Sequence, residues 1–236
     1  MREWRVVITC EHAGRTIPAF VRREVRIPRD TLMSHRGWDA GALDLARRFR
    51  DDLHAPLHAF SITRLVVDAN RSPESPEVFS EYSRALDDAA RTELLDRHHA
   101  RFRDKVLRLI TRLQNRGIGV IHLSVHSFTP IWKGRARPTD IGILFDPKSR
   151  DEAMFARSWM RRLRGAGDWA VHANKPYRGT DDGHTTTLRD VNVNGYVGLE
   201  IEINRKFVDT SGWSDLCTHV VATFRDALSA WNARRS

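Results

Sequence analysis

The sequence predicts an α/β fold, in which helices pack against a central sheet. Two observations support this prediction. Apolar runs typical of buried strands recur along the chain, and segments with apolar residues at helical spacing lie between them. The strands are expected at residues 5–10, 63–67, 118–126, 139–146, 169–173 and 195–203, and the helices at 40–53, 86–116, 150–164 and 213–232. Strands that alternate with helices are typical of layered α/β proteins.

The helices are predicted from the spacing of their apolar residues. In the segment 40–53, the residues that recur at intervals of three and four are Ala42, Leu45, Ala46, Phe49 and Leu53. The segment 86–116 carries a longer stripe of the same kind, and Gly117 follows it where a helix C-cap is expected. By contrast, residues 174–194 are polar and show little periodicity, which predicts a long loop of functional importance. We expect one catalytic domain over residues 1–236.

Composition and charge narrow the classes of function. The chain has 236 residues, of which 41% are hydrophobic, and a formal net charge of +9. Its basic residues are mixed with acidic ones, as in 47–52, so nucleic-acid binding is the weaker interpretation of the high charge. The two cysteines form no disulfide framework and no metal-binding pair. No apolar stretch is long enough to span a membrane, and we expect a cytoplasmic protein without a membrane partner.

Polar residues follow several of the predicted strands, at the edge of the sheet where α/β proteins bind ligands. They are Glu11 and His12, then Asp68, Asn70 and Arg71, then His126, while Glu200 and Glu202 lie within the last strand. Two histidines, several carboxylates and an arginine at one edge fit a zinc hydrolase. Catalytic zinc takes three His or carboxylate ligands and leaves a position for water, and a further carboxylate then acts as general base.

Each of these features also has a simpler explanation. A histidine after an apolar strand is more often a hydrogen-bonded structural residue, and Asp68 and Asn70 could cap a turn. Glu200 and Glu202 share one face of their strand, which could simply be exposed to solvent. Only the coincidence at successive strand ends favours the hydrolase.

The motifs resemble those of the N-formylglutamate amidohydrolase family. CEHAG (10–14) resembles the opening motif of that family, and WDAGALDLA (38–46) resembles the motif that follows it. RLVVDANRS (64–72) and LSVHSF (123–128) resemble the next two. Later segments fall in the same order, so that the resemblance spans residues 6–208; they are DIGILFD (140–146), NKPYRGTDDGHTTTL (174–188) and LEIEINRKFV (199–208).

This family is similar to the zinc carboxypeptidase and aspartoacylase group. The resemblance therefore implies a three-layer α/β/α sandwich around a mixed, mostly parallel sheet, with one zinc ion per chain. It also implies hydrolysis of the N-acyl amide of a small anionic amino acid such as N-formylglutamate. Another N-acyl amino acid or a small peptide is an alternative substrate, and a non-catalytic binding protein on the same fold is an alternative function. The sequence leaves the oligomeric state open.

The resemblance also implies roles for individual residues. His12 and His126 match the two histidine ligands, and Asn70 and Arg71 match the pair that binds a substrate carboxylate. Glu202 matches the catalytic glutamate, with Glu200 as the alternative base. Further substrate contacts are expected within the matched motifs, from Arg64, Tyr177, Thr180 and His184.

Two departures leave part of the metal site open. The wider group has a glutamate three residues after its first histidine ligand, where this chain has Arg15. The third ligand must then come from elsewhere, and Asp39 and Glu11 are the candidates. Asp39 is favoured because its motif recurs in the family, and His35 is a weaker candidate. The second departure is Ser124, which stands where the family often has an aspartate two residues before the second histidine. The partner that orients His126 is therefore not identified by the sequence.

Overall fold

The computed structural model describes residues 2–192 and 194–235, and six strands of these residues form a central sheet. The strands are β1 Trp4–Cys10, β2 Leu57–Ala59, β3 Gly119–Phe128, β4 Ile131–Trp132, β5 Arg135–Ala136, β6 Ile141–Leu144, β7 Val171–Ala173 and β8 Tyr196–Asn204. The spatial order in the central sheet is β2-β1-β3-β8-β6-β7, and β4 and β5 form a separate hairpin. The first four strands of this order are parallel, while β6 pairs antiparallel with β8 and parallel with β7.

Helices cover both faces of the sheet. The α-helices of the described residues are α1 Arg29–Met33, α2 Ala42–Leu53, α3 Asp88–Leu94, α4 Arg101–Gln114, α5 Arg150–Ala166, α6 His184–Val191 and α7 Trp213–Ala233. Helices α2, α5 and α7 pack on one face in the largest apolar core, whereas α4 and α6 pack on the other. The three-layer α/β/α architecture with a mixed, mostly parallel sheet is thereby confirmed. Within the described residues, no helix combines the length and the apolar character needed to cross a bilayer.

The prediction of a strand at residues 63–67 is wrong. This segment forms turns, and the strand next to β1 is instead β2, which the sequence analysis did not predict. Val66 and Val67 are fully buried, but they pack in a separate apolar cluster with Phe60 and Val78 beneath the loops. The apolar run therefore fills a second core and does not extend the sheet.

Two other segments differ from the sequence prediction in detail. The long helix expected over 86–116 is divided into α3 and α4 by a π-helical turn, Leu95–Ala100. The loop expected over 174–194 contains α6, although one of its residues, Val193, lies outside the described part of the chain. The first turn of helix α6 contains three threonines, which are weak helix formers, and its contacts with the sheet compensate. Thr185 donates a hydrogen bond to Glu200, and Arg189 pairs with Glu152 at 2.9 Å.

The register of the sheet determines which residues meet at its edge. Thr9 of β1 lies opposite Ser124 of β3, and Ser124 lies opposite Glu200 of β8. Two residues further along, His126 lies opposite Glu202. Because β1, β3 and β8 are neighbours and parallel, the residues that follow β1 reach the same edge as His126 and Glu202.

Candidate active site

A cavity of about 520 Å³ opens at this edge of the sheet. Its volume falls within the range of small-molecule sites. Strand residues and loop residues both contribute to its wall. From the sequence-predicted set, the lining residues are His12, Asp39, Arg64, Asn70, Arg71, His126, Tyr177, Glu200 and Glu202. The structure thus brings most of the candidate residues into one cavity.

His12, Asp39 and His126 form a buried cluster, with ligand atoms that all lie within 4.8 Å of one another. Asp39 Oδ2 is 2.9 Å from His126 Nδ1 and 3.3 Å from His12 Nδ1. The backbone explains part of this arrangement, because Asp39 N donates to the carbonyl oxygen of His12 at 3.0 Å. This bond holds the turn after β1 against the segment that leads into α2. The three side chains could hold a metal ion.

The two imidazoles are each held through the ring nitrogen that faces away from the cluster. His12 Nε2 lies 2.7 Å from Asp68 Oδ1, and His126 Nε2 lies 2.9 Å from Ser124 Oγ. Ser124 Oγ in turn donates to Glu11 at 2.5 Å and can accept from His126. Protonation at Nε2 leaves the Nδ1 lone pair directed at the cluster, as metal-binding histidines require. Ser124, backed by Glu11, is therefore the partner of His126 that the sequence left open.

Glu11 lies behind the cluster and is fully buried. Burial by itself raises the pKa of this carboxyl, but hydrogen bonds from His126 and His184 hold the pKa well below its usual range. The distance from Glu11 Oε1 to His184 Nδ1 is 2.9 Å. The structure places Glu11 next to Ser124 and His184, outside the group formed by His12, Asp39 and His126.

The two glutamates of β8 differ in their surroundings. Glu200 accepts a hydrogen bond from Thr185, whereas the buried Oε2 of Glu202 has no hydrogen-bond partner among the described residues. Burial raises the pKa of Glu202 to about 8, and the nearby charges of Asp39 and Glu200 add to this effect while His126 opposes it. A carboxyl with such a pKa and a free oxygen is well suited to exchange protons in the cavity.

The arginines predicted to contact substrate both line the cavity, and each has partners within the protein. Arg64 pairs with Asp68 at 3.0 Å, and its guanidinium lies 3.3 Å from His12 Nδ1. Arg71 donates to the carbonyl oxygen of Asp182 at 2.7 Å and pairs with Glu77 at 3.1 Å. The side chain of Glu77 is 69% exposed, so a carboxylate in the cavity could displace it.

Of the remaining residues predicted to contact substrate, two line the cavity and two do not. Asn70 Oδ1 accepts from the backbone N–H of His184 at 2.9 Å, which ties two loops together. Tyr177 lies on the cavity wall, where its hydroxyl accepts from Arg137 at 3.2 Å. His184 is buried behind Glu11, and Thr180 is exposed; neither is among the residues that line the cavity.

Several contributing residues were missed by the sequence analysis. Asp68 was noted only as a polar residue at the end of a predicted strand, yet it holds His12. Its position two residues before Asn70, in one motif, was the available signal. Glu77 and Asp182 lie in polar loops with no pattern that distinguishes them from other acidic residues. Their contacts with Arg71 are visible only in the folded chain.

Comparison with known proteins identifies the family. The family model for N-formylglutamate amidohydrolase matches residues 4–208. The chain belongs to this family. The resemblance seen in the motifs is thereby confirmed, and the protein is a hydrolase that acts on an amide. A search of curated proteins gives no match.

Two solved structures are similar to this member of the family. A gene product of Agrobacterium tumefaciens has a TM-score of 0.85 and 32% sequence identity, covering 96% of this chain and 91% of that one. An N-formylglutamate amidohydrolase from Ralstonia eutropha has a TM-score of 0.77 over 99% of this chain and 96% of its own. At 19% identity, the second comparison shows the shared fold alone.

Proposed function

We propose that this protein is a zinc-dependent amidohydrolase that removes the N-acyl group from a carboxylate-bearing amino acid such as glutamate. The preferred acyl group in this proposal is formyl. N-formylglutamate is the substrate for which the family is named. One observation carries the proposal: His12, Asp39 and His126 converge in the same cavity as Glu202, whose buried carboxyl oxygen has no partner among the described residues.

The chemistry of the donor set fits zinc. Two imidazole nitrogens and one carboxylate oxygen are typical ligands of a catalytic zinc site. The hydrogen bonds of His12 with Asp68 and of His126 with Ser124 use the Nε2 atoms, so both Nδ1 atoms face Asp39 and would bind the ion. The ion would replace the contact between His12 Nδ1 and Arg64. When bound there, zinc would polarise the amide carbonyl and increase the acidity of a water molecule. Glu11 is not a ligand in this arrangement, since it already bonds with Ser124 and His184, and its role is to hold Ser124 against His126.

Glu202 has the properties expected of the general base. As the amide is hydrolysed, its carboxylate takes the proton of the attacking water and then delivers it to the departing amine nitrogen. The products are formate and the free amino acid. Glu200 is less suited to proton transfer, because one of its carboxylate oxygens already accepts a hydrogen bond from Thr185. We therefore assign proton transfer to Glu202 and a supporting role to Glu200.

Recognition of the substrate carboxylate is assigned to Arg71, supported by Asn70. Guanidinium groups bind carboxylates through two parallel hydrogen bonds. One edge of Arg71 pairs with the exposed carboxylate of Glu77, which marks the position where a substrate carboxylate would compete. Arg64 lies against the metal cluster through its contacts with Asp68 and His12, so we propose that it faces the scissile amide. Tyr177 also lines the cavity, and we propose that it contacts the substrate.

The proposal is tested by a substrate screen. Purified protein is treated with a chelator, and each substrate is then assayed with and without one equivalent of zinc. The substrates are the N-formyl and N-acetyl derivatives of glutamate, aspartate, glutamine and leucine, and both formate or acetate and the free amine are measured. We expect zinc-dependent release from N-formylglutamate in preference to the neutral substrates. Equal turnover with and without zinc would contradict the proposed metal. Preference for acetyl or neutral substrates would contradict the proposed substrate.

Three broader expectations from the sequence remain proposals. They are a single catalytic domain over residues 1–236, a cytoplasmic setting, and a small anionic N-acyl amino acid as the partner, with nucleic acid as the weaker alternative. Limited proteolysis tests the first of these, because one cooperative domain should be cut only near its ends or in exposed loops. Cell fractionation tests the second, and retention on DNA as a function of salt tests whether the net charge of +9 adds a nucleic-acid partner.

A further inference from the structure

Arg103 is a buried arginine in α4, only 8% exposed. Its guanidinium donates to the carbonyl oxygens of Ala69 at 3.1 Å and Arg71 at 2.9 Å, and to Thr187 Oγ1 at 2.6 Å. Within the described residues, it forms no ion pair with a carboxylate. All three acceptors belong either to the loop that carries Asn70 and Arg71 or to α6.

The burial of this charge is costly. A buried cation without a paired carboxylate loses the hydration of a full charge, and burial accordingly lowers the pKa of Arg103. The rest of the buried face of α4 is apolar, since Val106, Ile110 and Leu113 pack against the sheet. An apolar residue at position 103 would continue that face. The retained guanidinium instead fixes the carbonyl groups of the loop before Ser72.

A second buried donor reaches the same carbonyl. His99 is 1% exposed, and its Nε2 donates to the carbonyl oxygen of Arg71 at 2.9 Å. His99 lies in the π-helical turn Leu95–Ala100 that interrupts the predicted long helix. Such turns accommodate an extra residue and are frequent at functional sites. Two side chains of one helical segment, His99 and Arg103, therefore hold a single backbone oxygen of Arg71.

The carbonyl group of Arg71 lies between two further contacts of the same loop, made by Asn70 and Ser72. On one side, Asn70 Oδ1 accepts from His184 N, at the start of α6. On the other, Ser72 N donates to the carboxylate of Asp182 at 3.1 Å. The Arg71 side chain itself donates to the carbonyl oxygen of Asp182. Displacement of the Arg71 backbone would therefore move its guanidinium relative to the cavity.

We infer that Arg103 and His99 are positioning residues that hold Arg71 where it binds the substrate carboxylate. The inference rests on the proposed role of Arg71. It adds two residues, outside the cavity lining, whose loss should weaken carboxylate recognition without affecting proton transfer or the metal ligands.

The experiment compares N-formylglutamate with its two monoamides, in which either carboxylate is replaced by a carboxamide. The ratio of kcat/KM between the dicarboxylate and the weaker monoamide measures carboxylate recognition. Arg71→Lys provides the benchmark and should lower this ratio by about tenfold or more. We expect Arg103→Lys and His99→Leu to lower it by about three- to tenfold, through KM, with kcat and zinc content within about twofold of the parent. His99→Gln keeps an N–H donor and should restore most of the ratio.

Arg189→Lys is the matched control. Arg189 is a partly buried arginine of α6 that pairs with Glu152, and it is not among the cavity-lining residues. Its replacement should lower the midpoint of thermal unfolding and leave the ratio unchanged. If Arg71→Lys lowers the ratio but Arg103→Lys and His99→Leu do not, the inference is wrong and the proposed function stands. If Arg71→Lys leaves the ratio unchanged, its assigned role fails, and the positioning role fails with it. Should Arg103→Lys fold poorly, the pair His99→Leu and His99→Gln decides alone.

Discussion

Two groups of residues that line the cavity differ in the structure that holds them in place. The strand-end group consists of His12, His126, Glu200 and Glu202, which lie on strands or within two residues of one. The loop group consists of Asn70, Arg71, Glu77 and Asp182, which lie in irregular segments. All side chains of the strand-end group are at least 92% buried, with exposures of 2–8%. The side chains of Arg71 and Glu77 are 26% and 69% exposed.

This difference assigns different tasks to the two groups. Strand residues are held by ladder hydrogen bonds and by the core on both faces of the sheet, so their positions are precise. Proton transfer by Glu202 and metal binding by His12 and His126 need that precision. The third proposed ligand, Asp39, is a loop residue that is held against the turn after β1 by the hydrogen bond from its backbone N–H to the carbonyl oxygen of His12. Loop residues can vary between relatives without disturbing the sheet, which suits recognition of the substrate. The four predictions below test whether chemistry and recognition divide along this boundary.

The largest effect is expected for His126→Ala. It removes one of the three proposed ligands, and the remaining pair should bind zinc weakly. Zinc content after dialysis should fall from about one per chain to well below half, and amide hydrolysis should become undetectable. The measurement is metal analysis of dialysed protein, combined with the formate release assay.

His122→Gln provides the control for this change, since His122 lies four residues earlier on the same strand. It is fully buried and bonds with Thr9 and Tyr196, outside the metal cluster. This variant should keep its zinc even if it loses some thermal stability. Retention of one tightly bound zinc by His126→Ala would remove His126 from the metal site and break the assignment of the strand-end group.

The next effect separates the two glutamates of β8. Glu202→Gln keeps the shape of the side chain but removes its ability to accept a proton, so kcat should fall by about 10²–10⁴-fold. Glu200→Gln should lower kcat far less. Zinc content and thermal midpoint are measured for both variants to exclude indirect effects. If Glu200→Gln is the inactive variant, the base lies two residues earlier on the strand; if both remain active, the base lies elsewhere in the cavity.

The same boundary explains what could be predicted from the sequence. His12, His126, Glu200 and Glu202 were found because a parallel sheet brings the ends of its strands to one edge. Asp39 was favoured over Glu11 only through the family resemblance, because no periodic pattern relates a loop residue to a strand end. In the structure, Asp39 lies in one buried cluster with His12 and His126.

The loop group was harder to predict from the sequence. Asn70 and Arg71 were predicted to follow a strand at 63–67, whereas the chain forms turns there and the apolar residues pack in a separate core. Thr180 was chosen from its motif and lies exposed, outside the cavity lining. Both Glu77 and Asp182 contact Arg71, and Asp182 lies more than 100 residues away from it in the sequence. Tertiary contacts of this kind leave no local pattern.

A smaller effect is expected from Glu77→Gln, which tests recognition by the loop group. Glu77 pairs with Arg71 at 3.1 Å and competes there with a substrate carboxylate. An exposed ion pair contributes up to about 1 kcal/mol, so its removal should lower KM for N-formylglutamate by up to about fivefold. The value of kcat should stay the same, and the effect should diminish at high salt because exposed charges are screened.

Glu74→Gln makes the same change of charge in the same loop, and no ion pair between Glu74 and Arg71 is found among the described residues. It should shift KM much less than Glu77→Gln does. Equal shifts for the two variants would show that the effect comes from the net charge of the loop. In that case, Glu77 does not occupy the position of the substrate carboxylate.

The smallest effect concerns the stability of the metal-free protein as a function of pH. Burial raises the pKa of Glu202 to about 8 in the folded chain, from an ordinary value of 4.5. The folded state therefore binds a proton more tightly than the unfolded state does. The stability that this proton contributes is complete below pH 4.5 and is lost as the pH rises to about 8. Above that pH, the parent protein buries an unpaired charge.

Glu202→Gln removes this dependence, since glutamine stays neutral. In the presence of a chelator, its thermal midpoint should exceed that of the parent by about 3 °C or more at pH 9, and the two should converge near pH 5. Glu77→Gln removes a carboxylate whose side chain is 69% exposed, and it should not raise the midpoint at pH 9. Added zinc should reduce the difference at pH 9, because a divalent cation near Asp39 stabilises a charged Glu202. A difference that is independent of pH would mean that Glu202 does not take up the proton, and the base would then have to be explained without a raised pKa.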